Sequence, residues 1–288
     1  MIKFGVAGNS QKFYDEGNTS TLQAAAWCAE RGIEVFEYSF GRGVTLAAAT
    51  ATAIGQKFAQ HGVELSVHSP YFINFANPDP LMIEKSIGYV LQSIRKCEQF
   101  GGNRIVVHPA SQGKMTREDA FMLTKQNISL LAARLDELSY TQKFKICIET
   151  MGKMGQIGTV DEVAELCTLS DAFYPCIDFG HINAREQGIL KSAANYNTIF
   201  QKLLDKLPYK KVDQLHIHFS KIAYGPKGEL SHLTFEDTKY GPEFPPLAEV
   251  LCAYGFSPYI ICESNGTQAE DAIEMKRMYL DEMARREK

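Results

Sequence analysis

A single (β/α)8 barrel is the fold class this sequence predicts, and three observations predict it. Short β-branched runs recur along the 288 residues, each is followed by a helix-like segment, and no Gly/Ser linker, low-complexity tract or composition step divides the chain. Eight strand–helix units at this length favour closure into a barrel over a doubly wound open sheet, so residues 1–288 read as one TIM-barrel domain.

The strands follow in order. "IKFGVAG" from Ile2, "IEVFEYS" from Ile33 and "VELSVHS" from Val63 come first, each rich in Val, Ile or aromatic residues and each ending in polar or small ones. After the third, Asp79 and Pro80 signal a helix start, Ile83, Ile87, Leu91 and Ile94 fall on one helical face, and "FGG" ends the segment. "NRIVVHP" from Asn103 precedes a helix opened by Thr116, and "FKICIET" from Phe144 precedes one opened by Thr159. "YPCIDFG" from Tyr174, "VDQLHIHF" from Val212 and "SPYIICES" from Ser257 complete the set, the last followed by a start at Thr267. Each of these threonines stands three residues before an acid, the spacing of a capping box.

Composition excludes several classes. A net charge of −4 rules out a global basic field, so an anionic ligand must be held by a local patch or by cations. The seven cysteines are scattered and none forms a C-x-x-C pair, so they read as small buried apolar residues in a reducing compartment. The amino-terminal stretch turns polar within a few residues and no apolar run approaches a membrane span; a cytoplasmic protein with no membrane association is the expectation.

In a barrel the loops after the strands gather on one face, so polar residues at strand carboxyl ends share a site. His68, His108, Glu149, Asp178, His216 and Glu263 stand at or near the ends of six consecutive predicted strands, and His181 follows Asp178 by three residues. Any one of these has an ordinary explanation as a core or turn residue. Together, carboxylates and imidazoles on one rim would repel and suffer desolvation unless cations neutralised them. Nitrogen and oxygen donors without thiolate suit zinc, manganese or iron better than magnesium or calcium. With Glu229 and His232 in "GELSHL" there are enough donors for two or three ions sharing a bridging carboxylate. His218 lies on the same strand face as His216 by the two-residue period, so either could be the ligand.

Several segments carry a family resemblance. "HSPYFINFANPDPLMIEKS" is similar to a HAPYLINL stretch and its following helix, "VVHPAS" to an HPG segment, and "ICIET" to an IEN or IET strand end. "CIDFGHINA" is similar to IDTCHAFAAG, "LHIHFSK" to HLNDSK, and "IICESN" to LET. From about Val63 onward, in this order and spacing, the sequence resembles the endonuclease IV family: zinc-dependent apurinic/apyrimidinic (AP) endonucleases within the xylose isomerase-like barrel superfamily. The resemblance implies one zinc held by His68 and His108, with Glu149 bridging to a second held by Asp178, His216 and Glu263. A third would use His181. It favours His216 over His218. It also implies hydrolysis of DNA 5′ to abasic sites by metal-bound hydroxide, as in base excision repair, with Glu149 the catalytic bridging ligand. Tyr71 and Phe72 would enter the minor groove, and Arg42 in "SFGRGV" would contact DNA. No obligate protein partner is implied. Two segments depart from the family. Its D-R-H-H-S is "ELSHL" here, leaving Glu229 and His232 for the third site, and its glycine-rich SLGEGNIG is replaced by "LTFEDTKYGPEF".

A sugar isomerase or epimerase on the same barrel is the competing expectation, because Glu149, Asp178, His216 and Glu263 also resemble the single metal site of those enzymes. There Glu149 and Glu263 would move the proton beside the carbonyl. His68, His108, His181 and His232 discriminate, since a one-metal isomerase has little use for all four. A non-catalytic binding module is disfavoured by so complete a ligand set.

Overall fold

Apolar residues at alternate positions of each strand face an outer layer of helices, and this packing closes the sheet. The structure, a computed structural model, describes residues 1–287. Its barrel strands are β1 (Lys3–Ala7), β2 (Val35–Ser39), β3 (Glu64–His68), β4 (Arg104–Val107), β5 (Lys145–Glu149), β6 (Phe173–Asp178), β7 (His216–Phe219) and β8 (Tyr259–Cys262). Each pairs in parallel with its sequence neighbours, and β8 pairs with β1 to close the barrel. All eight predicted runs are strands. Phe36, Leu65, Val107, Ile146, Ile148, Ile177 and Ile217 join the main core, packed with residues of the surrounding helices.

The helix signals held to different degrees. Asp79 caps the helix Pro80–Gln99 by accepting from the Leu81 amide, and Ile83, Ile87, Leu91 and Ile94 are all buried on its inner face. Each such side chain contributes about 1.5–3 kcal/mol of transfer free energy. Thr159 forms the reciprocal capping box with Glu162, and Thr116 accepts from the Asp119 amide. Thr267 makes no cap: its backbone (φ −110°, ψ 26°) is not the extended N-cap conformation, and its hydroxyl donates to the Asp271 carboxylate at 2.9 Å. Six of the seven cysteines are buried and all are unpaired, as their scatter suggested. Among the described residues no helix is long and apolar enough to cross a membrane.

The barrel interior is layered. Register aligns Val106 with Cys147, and Cys147 with Tyr174; these residues with Cys176 form a small apolar cluster inside the barrel. Cys176 is in register with Glu149 on one side and His216 on the other, and Asp178 with His218. Because inward-facing positions recur every second residue, moving two residues along a strand lifts a side chain from this deeper layer to the rim.

Candidate metal centre

The rim gathers ligand-type side chains from strands three to eight. Glu149 ends β5 and is 1% exposed, with His68 Nε2 3.3 Å and His108 Nε2 2.9 Å from its Oε2. His218 Nδ1 lies 3.1 Å from Glu149 Oε1 and 3.4 Å from Glu263 Oε1. Asp178 completes this side, so Glu149, Asp178, His218 and Glu263 each present a donor atom within 4.8 Å of the others'. One carboxylate therefore belongs to two adjacent groups.

The structure places the two histidines of the H-x-H pair differently. His216 Nε2 faces Glu37 at 3.0 Å, and His216 belongs to none of the groups that contain Glu149. His218, level with Asp178, is the residue beside Glu149. Both side chains of the pair point into the barrel, so the two-residue period alone does not separate them. Glu37 was missed altogether. A single acid inside the apolar run "EVFEY" was its only signal.

Asp178 and His181 stand three apart because the strand passes directly into a short helix, Phe179–Arg185. Asp178 Oδ1 accepts from the His181 backbone amide at 2.7 Å, which leaves Oδ2 buried, without a hydrogen bond, on the side of the centre. His181 Nδ1 lies 2.9 Å from the Thr150 carbonyl, and its Nε2 lies 3.5 Å from Glu229 Oε2. Glu229 and His232 come from a hairpin, Ile222–Gly225 with Gly228–His232, and form a third group with His181. That hairpin docks on the loop after β5, where the Glu229 amide donates to the Gly152 carbonyl at 3.2 Å. Gly152 is required at this approach, since a Cβ there would lie 2.8 Å from Glu229 Oε2 and 2.9 Å from His181 Cδ2. Thus "ELSHL" does deliver Glu229 and His232 beside His181, despite its departure from D-R-H-H-S.

The electrostatics fit bound cations. Burial alone would protonate Glu149, but His108 and His218 hold its carboxyl well below the usual range. Burial favours a neutral His181, yet Asp178, Glu149, Glu229 and Glu263 outweigh it and raise the ring to about 9. Burial pushes Glu263 upward, opposed by His218 and His232. Cys176 is also near Glu149 and His218, and burial drives its thiol well above the ordinary range. A nitrogen- and carboxylate-rich set with an orphaned Asp178 oxygen and a glycine-shaped space at Gly152 fits divalent ions of the zinc, manganese or iron type.

Tyr71 and Phe72 are about half exposed on the loop after β3. The Tyr71 ring packs near His68 and His108, with centroids at 5.0 and 5.5 Å, and its hydroxyl is 3.1 Å from Ser39 Oγ. It stands between two open clefts of about 430 Å3 each: one bounded by His232, Glu263 and Asn265, the other by Arg42, Gly43 and Thr45. Arg42 therefore reaches the same region as Tyr71. Lys221 does not face substrate, because its Nζ is buried against the Asp237 carbonyl at 2.7 Å and Glu243 at 2.8 Å.

Residues 25–283 match the family model described as the xylose isomerase-like TIM barrel. The chain belongs to that family. An uncharacterized protein of Methanocaldococcus jannaschii, MJ0133, is 28% identical over 278 residues, 96% of each chain. The probable endonuclease 4 of Mycoplasma genitalium is 27% identical over 57% of this chain and 54% of its own. The apurinic-apyrimidinic endonuclease 1 of Saccharomyces cerevisiae is 29% identical over 57% of this chain and 44% of its own. The match thus spans about half the length of these named endonucleases. Among solved structures, a D-tagatose 3-epimerase-like protein superposes with a TM-score of 0.73 at 18% identity, covering 99% of this chain and 100% of that one. Endonuclease IV from Thermus thermophilus gives 0.68 at 16%, covering 98% and 99%, and IOLI protein with a bound zinc gives 0.68 at 16%, covering 98% of each. At these identities the likeness speaks to fold.

Proposed function

We propose that this chain is a zinc-dependent phosphodiesterase that cuts DNA on the 5′ side of abasic sites. The observation that carries the reading is the pair of extra groups, His68–His108–Glu149 and His181–Glu229–His232, flanking the four-residue group of Glu149, Asp178, His218 and Glu263. A single-ion site needs only the last of these. Bound ions would supply Lewis-acid polarisation of a phosphoryl oxygen and acidify water between them.

The chain's own residues do the rest. Glu149 ties two groups together through one carboxylate, holding their spacing. His68 donates Nδ1–H to the Ser69 carbonyl at 2.8 Å and His181 donates Nδ1–H to the Thr150 carbonyl, so each ring offers Nε2 to the rim. Tyr71 and Phe72 would fill the gap left by a missing base, where unstacking costs least. Arg42 would contact the backbone beyond Tyr71. The endonuclease relatives support a DNA substrate, and the family's hydrolases would place the product break beside the lesion.

Metal-dependent sugar isomerisation or epimerisation is the second reading, favoured by one specific feature. Glu149 and Glu263 approach the same His218 nitrogen from two strands, as two carboxylates flanking a carbonyl would need to do for proton transfer. The deciding experiment incubates zinc- or manganese-loaded protein with a duplex carrying one abasic-site analogue, with Glu149→Gln alongside. A 5′ nick that the variant loses is the expected result. Intact duplex with demonstrably loaded protein would sink the endonuclease reading and direct attention to ketoses and aldoses.

A further inference from the structure

Among the described residues, Glu37 is the one buried acid of the barrel interior that the proposed chemistry leaves unused. It lies near the end of β2, 1% exposed, and its Oε2 accepts from the Ser66 hydroxyl at 2.9 Å. Its two oxygens also face two imidazoles: Oε1 is 2.9 Å from His218 Nε2, and Oε2 is 3.0 Å from His216 Nε2. No lysine or arginine nitrogen comes within 4.0 Å of it among the described residues. A carboxylate isolated in this way is costly to bury unless its neighbours donate to it. The two imidazole nitrogens are the nearest groups that could supply that donation, although Glu37 Oε1, His216 Nε2 and His218 Nε2 are each buried without an aligned hydrogen-bond partner.

The orientation of His218 gives that arrangement a role. His68 and His181 each spend Nδ1 on a backbone carbonyl and turn Nε2 toward the rim. His218 is reversed. Its Nδ1 points to Glu149 and Glu263, while its Nε2 points down to Glu37. A neutral imidazole carries one N–H and one lone pair, so whichever group holds the proton decides which nitrogen can bind an ion. We propose that Glu37 is a positioning residue of the metal centre: it accepts the Nε2 proton of His218 and so commits Nδ1 of that ring to the ion shared with Glu149, Asp178 and Glu263. His216 serves the same carboxylate from below. Its ring packs toward Tyr259, with centroids 6.3 Å apart, and the Arg104 guanidinium lies over the Tyr259 ring at 4.0 Å. His216 is then a second donor to Glu37 rather than a ligand, which accounts for an H-x-H pair with only one member at the rim.

The inference rests on the metal-centre part of the proposed function and not on the choice between phosphodiester and sugar. Its test therefore uses metal binding and ring chemistry instead of turnover. Histidine 15N–1H correlation spectra of the zinc-loaded protein should identify His218 as protonated at Nε2 and metallated at Nδ1. Metallation at Nε2 overturns the proposal, as does a wild-type protein that takes up no zinc. With cobalt as a second probe, Glu37→Ala should lower the affinity of the central ion by about 10–100-fold and alter its visible d–d absorption. Glu37→Gln, nearly isosteric and still able to accept from one ring, should recover part of that loss, and it decides the matter if Glu37→Ala does not fold. Unchanged affinity and spectrum in a folded Glu37→Gln overturns the positioning role. Loss of one whole equivalent of metal, with the remaining spectrum intact, also overturns it by making Glu37 a ligand.

Discussion

Glu149 is where the centre is most sensitive to one side chain, because its two oxygens serve two ligand groups and are held ionised by the imidazoles of His108 and His218. Replacing it by Gln keeps the volume and removes the charge. Turnover should fall about 10^3-fold or more, equivalent to losing roughly 4 kcal/mol of transition-state stabilisation, and bound metal should drop in parallel, measured by elemental analysis. Gly152 tests the third group without touching a ligand. An added Cβ meets Glu229 and His181 inside van der Waals distance. Gly152→Ala should cost about 1–3 kcal/mol in stability and lose one ion while the Glu149-centred pair remains. Equal metal content in the variant and the parent would show that the hairpin moves aside freely. Neither Gly152 nor Glu37 was legible in the sequence as a site residue. A glycine in a loop and an acid in a strand acquire meaning only from what the fold brings opposite them. His68, His108, Glu149, Asp178 and Glu263 were legible because strand ends are readable from local pattern and the barrel sends every strand end to one face.

At the scale of elements, the eight strands and the helix Pro80–Gln99 were readable because their apolar periodicity is local, whereas the hairpin that carries Glu229 and His232 was not. It pairs with itself and docks on the loop after β5 through backbone contacts that leave no side-chain signature. That loop is held from below by Arg185, whose guanidinium donates to the carbonyls of Met151 at 3.1 Å, Lys153 at 2.9 Å, Met154 at 3.3 Å and Gln156 at 3.2 Å. Arg117 reaches two of the same carbonyls, Met154 at 3.1 Å and Gln156 at 3.0 Å. The third group is thus assembled by two arginines that never approach it. Arg185→Met should destabilise the protein by about 1–3 kcal/mol, chiefly through the buried Met151 carbonyl and the part-buried Lys153 carbonyl, which lose this donor while Met154 and Gln156 keep Arg117, and weaken the third ion although all three of its ligands remain. Arg185→Lys should restore only part of both effects, since one ammonium cannot span four carbonyls. A thermal melt paired with a zinc titration reads the two consequences, and a melt shift without any change in the titration would uncouple the loop from the site.

For the whole molecule, charge links folding, metal and substrate. The chain carries −4 overall and concentrates Glu149, Asp178, Glu229 and Glu263 at the mouth of the barrel, so without cations this face should repel a nucleic-acid backbone. Chelator treatment should therefore abolish binding to abasic duplex, measured by fluorescence anisotropy, and not merely turnover. In the loaded protein the logarithm of affinity should fall with the logarithm of salt by about 0.9 per phosphate contacted; Lys221, already paired with Glu243, should contribute nothing to that slope. The same carboxylates set the pH dependence of the metal-free fold. Burial works against a charged His181, but Asp178, Glu149, Glu229 and Glu263 raise it from its ordinary 6.5 to about 9. A ring whose proton is held more tightly in the folded than in the unfolded chain stabilises the fold fully below the unfolded value, and that contribution disappears as pH rises through the folded one. In chelator, raising the pH from 6.5 to 9 should thus remove the part of the stability that depends on His181, and His181→Asn should flatten the trend. An ion needs the neutral ring, so the increment in melting temperature produced by zinc should grow over the same interval, with proton release on binding that a weakly buffered titration can count. A zinc increment independent of pH would mean that His181 loses no proton on loading, and would remove it from the ligand set.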